Sequence, residues 1–213
     1  MFESPEGMPE VSVDGEEVLF EGEAPQDIGQ IFDLLMGAMS EKGRAVISFV
    51  VDGSDMMAKP EDQPLPTTFE KIEAVTMTHS ELTLQLVMRV EEETESLDDE
   101  LTAYSRKILL LGWTEIFQRM DEFISKIKPI AELLDNLDPF AKTYDPPWRS
   151  DFEGLQKRQA EALHEVLSSF QTGDVAELSN VVKAKLLPIL EEFRKLSSLS
   201  MKPYLLQNME EAG

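Results

Sequence analysis

Hydrophobic positions along the chain follow two periods, and the change falls near His79. Before it, short runs rich in β-branched residues are broken by Gly, Pro and Asp. After it, glycine becomes sparse and apolar residues recur three or four apart, so strand-like spacing gives way to helical spacing. The pattern predicts an α+β protein: a small hairpin, helix and strand module over residues 1–79, then an antiparallel helical bundle over residues 80–213.

In the first region Val11-Ser12-Val13 leads into Asp14-Gly15 and on to Val18-Leu19-Phe20. Asp-Gly tolerates the positive φ angles of a tight turn, which predicts a β-hairpin. Pro25 suits a first helical turn, and Ile28, Ile31, Phe32, Leu35 and Met39 line one helix face before Gly43, a natural left-handed cap. Val46, Ile47, Phe49, Val50 and Val51 read as a central strand that ends in a second turn, Asp52-Gly53. The echo between residues 11–15 and 49–53 fits two hairpins obeying one turn rule. Pro60, Pro64 and Pro66 mark an exposed loop over 59–66, and residues 69–77, with Ile72 and Val75, supply a last strand. This order of strands around one helix resembles that of small β-grasp domains, a resemblance of topology that no sequence motif accompanies.

The second region opens with Thr78-His79-Ser80-Glu81, whose Thr and Glu are spaced as a capping box. A helical seam follows through Leu86, Val90, Leu97, Leu101, Tyr104, Ile108 and Leu111, and resumes from Ile116 to Leu137. One helix over 80–137 would reach roughly 87 Å at about 1.5 Å per residue, so a break is expected. Ser96 in an acidic stretch, Gly112, and a kink at Pro129 are the candidates. Residues 138–150 hold three prolines and three aromatic rings, and are expected to form a loop. A further helix is predicted over 151–171 and ended by Gly173; Asp174 and Glu177 start the next, which Pro188 should bend. Residues 201–213 form either a short helix after Pro203 or a tail.

Charge narrows the choice of partners. Forty-two acidic against nineteen basic side chains leave a net charge of -23, which makes phosphate backbones and anionic lipid poor partners. Residues 1–79 carry 17 acidic and 4 basic side chains and are the denser anion. At 42% hydrophobic residues the chain is expected to fold. It contains no cysteine, which removes disulfide and thiolate chemistry. The opening residues 1–6 lack the charge and apolar stretch of a secretory signal, and the longest aliphatic run, residues 108–111, is too short to span a membrane. A cytoplasmic location is the expectation.

Few side-chain sets carry chemistry. Glu161 and His164 project from one helix face as metal-binding bundles require, yet such sites need a second pair and further glutamates. Glu115, Glu122, Glu132 and Glu165 are the residues that would complete one. The acidic run over 91–100 gives its members similar surroundings, so it separates no acid from a base and reads as a solvated helix face or docking surface. No nucleophile elbow and no phosphate-binding glycine loop occurs. The basic residues are scattered and read as ion-pair partners on helix surfaces. Phe140, Tyr144, Trp148 and the adjoining Arg149 combine residue types enriched in interfaces; the same rings would equally seal one end of a bundle.

These features point to a non-catalytic acidic interaction protein of adaptor, assembly-factor or chaperone type, with another protein, basic in character, as partner. Neither nucleic acid nor membrane is expected as a partner, no cofactor is implied, and homo-oligomers are compatible with the helical seam. Two alternatives belong to other classes: a carboxylate and histidine metal-dependent enzyme built on Glu161 and His164, and a polyanion mimic that occupies a basic protein.

Overall fold

The computed structural model describes residues 9–20, 25, 27–58 and 66–212. The opening residues 1–6 and nearly all of the expected 59–66 loop lie outside them. Contacts divide the chain into two units, Met1–Leu82 and Thr83–Gly213, each with its own buried core. The architecture is α+β.

The first unit is a five-stranded mixed sheet carrying one helix. Strands β1 (Glu10–Val13) and β2 (Glu16–Glu17) form the first hairpin, helix α1 spans Ile28–Glu41, and β3 (Arg44–Val51), β4 (Ser54–Asp55) and β5 (Lys71–Thr78) complete the sheet. Their order is β2-β1-β5-β3-β4, with β1 parallel and β3 antiparallel to β5, the β-grasp arrangement of strands. Both Asp-Gly pairs adopt positive φ: 53° and 84° at Asp14 and Gly15, 47° and 80° at Asp52 and Gly53. These angles match the twist of the flanking strands.

Pro25 lies outside α1. The helix begins at Ile28, because Asp27 is the better cap: its carboxylate accepts from the Gln30 amide at 3.0 Å. Ile28, Ile31 and Leu35 are buried against the sheet, and Phe32 meets Phe49 edge-on at 5.0 Å. The apolar run in β3 is not uniformly buried. Ile47 is an extra residue at a bulge between Val46 and Ser48, which explains how Val46, Phe49 and Val51 all face the core despite their odd spacing.

The capping box over Thr78 and Glu81 forms in both directions: the Thr78 amide donates to the Glu81 carboxylate at 2.8 Å and the Glu81 amide to the Thr78 hydroxyl at 3.1 Å. Helix α2 then runs His79–Lys107, so Ser96 does not break it. Thr94 and Leu97 on either side are buried and keep the apolar seam in phase. The break comes later, where a 3-10 turn over Ile108–Leu110 leads to Gly112, the cap of α3 (Trp113–Gln118).

Helix α4 (Met120–Tyr144) passes through Pro129 and Pro139 without interruption. The expected loop over 138–150 is therefore corrected to a four-residue connection, 145–148, before α5 (Arg149–Thr172). The physical reason is periodicity: Leu134, Leu137, Phe140 and Ala141 are all buried on one face, and their burial offsets a proline cost of about 3 kcal/mol. Gly173, at φ 71°, ends α5, and the Asp174 carboxylate caps α6 (Val175–Val181) by accepting from Glu177 at 2.9 Å. Helices α7 (Leu187–Leu196) and α8 (Lys202–Ala212) follow, each preceded by a π turn, Val182–Leu186 and Ser197–Met201.

Cross-helix bonds set the directions. Gln156 in the first half of α5 donates to the Leu134 carbonyl of α4. Ser179 donates to the Ser105 carbonyl, Arg194 pairs with Asp98 and Lys202 with Glu91. Rising numbers on one helix thus meet falling numbers on the other, as antiparallel neighbours require.

Candidate functional site

The aromatic residues singled out by sequence do not stand together on a surface. Trp148 is 1% exposed and Phe140 7%, and their rings stack at 6.2 Å with planes 6° apart. Phe152 closes against Trp148 edge-on at 5.9 Å. Because α4 continues to Tyr144, these rings lie at helical spacing and pack inward, where they seal the α4–α5 connection. Tyr144, 40% exposed, lies against Phe140 in a tilted contact at 4.5 Å. Arg149 bridges Asp145 at 3.1 Å and Glu153 at 2.7 Å; the bonds to Glu153 and Asp145 hold its pKa above the usual arginine value. Of the four, only Tyr144 and Arg149 reach the surface.

Glu161 and His164 both lie on the exposed side of α5. Among the described residues no three His, Asp or Glu side chains are grouped to hold a metal ion. Three of the glutamates that would complete such a site are engaged elsewhere: Glu115 with Arg119, Glu132 with Lys128 and Glu165 with Lys185. The acidic run on α2 is also partly consumed. Glu91, Asp98 and Glu100 pair with Lys202, Arg194 and Lys126 on other helices, which leaves Glu92, Glu95 and Asp99 facing solvent.

What the sequence did not single out is the turn between α2 and α4. Leu109 and Leu110 follow α2 in the 3-10 turn and are 51% and 87% exposed; Phe117 on α3 is 53% exposed. Their neighbours Ile108 and Ile116 are buried, so the run 108–111 divides between core and surface. Only the 3-10 geometry, which carries successive residues to different sides, distinguishes them. A heptad reading has no means to do so.

Beside this turn opens a groove between the end of α2 and the start of α4, lined by Tyr104, Lys107, Arg119 and Phe123 among others. Phe123 stacks on Tyr104 at 4.9 Å. Burial and the charge of Glu122 push the Tyr104 phenol up to about 12, so it remains a hydrogen-bond donor at all ordinary pH. Deeper in the second unit, Leu97, Leu101, Ile189 and Phe193 line an apolar cavity of about 20 Å³, which is smaller than any organic ligand. Among the described residues no helix is long and apolar enough to cross a membrane. Comparison with protein-family models, with curated proteins and with solved structures gave no match.

Proposed function

We propose that the chain is a non-catalytic acidic interaction module of adaptor, assembly-factor or chaperone type, working in the cytoplasm on another protein of basic character. The observation that carries this reading is the exposed apolar turn of Leu109, Leu110 and Phe117. Large apolar side chains left in water at the 3-10 turn and on the α3 helix that follows cost solubility, and exposed apolar surface is a usual mark of a protein contact. A net charge of -23 would draw a basic partner in and disfavour acidic ones, a steering effect on encounter rate.

The test is affinity purification from the native cell with the wild-type chain and with a Leu110→Asp, Phe117→Asp variant. The expected result is a stoichiometric protein partner, held by the wild type and lost from the variant, whose association slows as salt is added. Absence of a specific partner, together with turnover of a small molecule by the purified chain, would overturn the reading.

A further inference from the structure

The groove between α2 and α4 measures about 260 Å³. Leu101, Ile108 and Phe123, all buried, supply its apolar wall. Its polar wall is dominated by donors. The Tyr104 hydroxyl is buried and has no hydrogen-bond partner, an arrangement that costs free energy unless something else satisfies it. Glu122 lines the same groove and is near enough to influence the phenol, yet it accepts no bond from it.

Three cations and two carboxylates line this groove, Lys107, Arg119 and Lys126 against Glu100 and Glu122, in a chain of net charge -23. Lys126 is bonded to Glu100 at 2.5 Å, and Arg119 turns to Glu115, outside the groove, at 3.0 Å. Lys107 forms no ion pair among the described residues. As the last residue of α2 it answers the negative end of the helix dipole, which accounts for the lysine and leaves the phenol unexplained.

We propose that this groove binds a small amphipathic monocarboxylate, its apolar body against Leu101, Ile108 and Phe123 and its carboxylate accepting hydrogen bonds from the Tyr104 hydroxyl and the Lys107 ammonium. A single acceptor-only anion satisfies both donors. The volume lies just below the roughly 300–1,000 Å³ of drug-sized pockets, so the acid is a short alkyl or single-ring one. Because the phenol oxygen is screened from water, binding requires side chains lining the groove to shift. The proposal is independent of the protein partner.

Calorimetric titration of the full chain with 3-phenylpropanoate and octanoate, and with 3-phenylpropanamide as the uncharged analogue, tests it. At least one acid should bind saturably with one site per chain, and the amide about tenfold or more weakly, the loss expected for a charged hydrogen bond. Tyr104→Phe and Lys107→Ala should each weaken the acid about tenfold, whereas Lys157→Ala, outside the groove, should leave it unchanged. Tyr104→Phe removes only an unpartnered oxygen, so its melting temperature should equal or exceed that of the wild type and certify the fold. No saturable binding of either acid at millimolar concentration, an amide as tight as its acid, or unchanged affinity in Tyr104→Phe or Lys107→Ala would overturn the proposal.

Discussion

Each Asp-Gly turn uses its aspartate twice, once for a left-handed backbone and once for a carboxylate that reaches β5. Asp52 accepts from the Glu70 amide at 3.1 Å and the Lys71 amide at 2.8 Å. Asp14 accepts from the Thr76 amide at 2.8 Å, the Thr76 hydroxyl at 2.6 Å and Arg44 at 3.2 Å. The turns were legible as a dipeptide rule; the cross-strand bonds were not, since they join residues some sixty positions apart in the case of Asp14 and Thr76. Burial raises the Asp14 pKa, but the Thr76 bonds and the Arg44 charge outweigh it and hold the carboxyl below its usual value. A group depressed in the folded state adds stability above its unfolded pKa of about 3.9 and loses it as pH falls. Asp14→Asn keeps the left-handed turn and loses the charge. With the side chain 37% exposed, the variant should be less stable by about 1 kcal/mol at neutral pH after allowance for solvent screening. Urea unfolding across pH should show that difference shrinking below about pH 4; a constant gap down to low pH would mean that the carboxylate charge contributes nothing.

At the scale of elements, the sequence misled at Pro139, where a loop was expected and α4 continues. Pro129, Pro139, Pro188 and Pro203 all lie inside or immediately next to helical turns, although each lacks the amide that a continuing helix uses. The C-terminal pair shows how this is managed. The Leu187 amide donates to the Val182 carbonyl and the Lys202 amide to the Ser197 carbonyl, each spanning five residues and each just before a proline. A widened turn moves aside the carbonyl that the proline ring would strike. Local propensity charges a proline about 3 kcal/mol, whereas shifting the helical register across the π turn and α8 by one residue would expose Met201 and Leu205, both now fully buried, at about 2–3 kcal/mol apiece. Packing therefore outweighs the proline. It follows that the π turn makes room for Pro203 and does not depend on it. Pro203→Ala should leave the Lys202 to Ser197 bond in place and change stability by less than about 1 kcal/mol, while Met201→Ala should cost about 2–5 kcal/mol. Through-bond NMR couplings that reassign the Lys202 amide to Ser198 in Pro203→Ala would show instead that the proline creates the turn. The candidate groove escaped the sequence for a related reason: Tyr104, Lys107 and Phe123 each look like ordinary members of a seam or a solvated face, and only the 3-10 reversal brings them to one opening.

For the whole molecule, charge and core divide unevenly between the two units. Residues 1–82 carry 18 acidic and 4 basic side chains, so the acids far outnumber the cations available to them, the pairs of Arg44 with Asp14 and Lys71 with Glu73 engaging two of the four. Their charge is therefore largely self-repulsive, and added salt should relieve it. The helical unit is built differently. Salt also weakens attractions there, because pairs such as Glu91 with Lys202, Glu100 with Lys126 and Arg158 with Glu192 join its helices. Gains and losses should nearly cancel in that unit, so raising sodium chloride from about 0.02 to 0.5 M should stabilise the first unit more than the second. The aromatic residues make this readable. Trp113 and Trp148 both belong to residues 83–213, so tryptophan fluorescence follows the helical unit alone, while methyl resonances of Ile28, Ile31 and Ile72 follow the sheet core. Thermal unfolding should give a sheet midpoint that climbs with salt beneath a nearly constant fluorescence midpoint. Two probes that melt together at every salt concentration would instead place both cores in one cooperative transition, and the acidity of the smaller unit would then be a load carried by the entire chain.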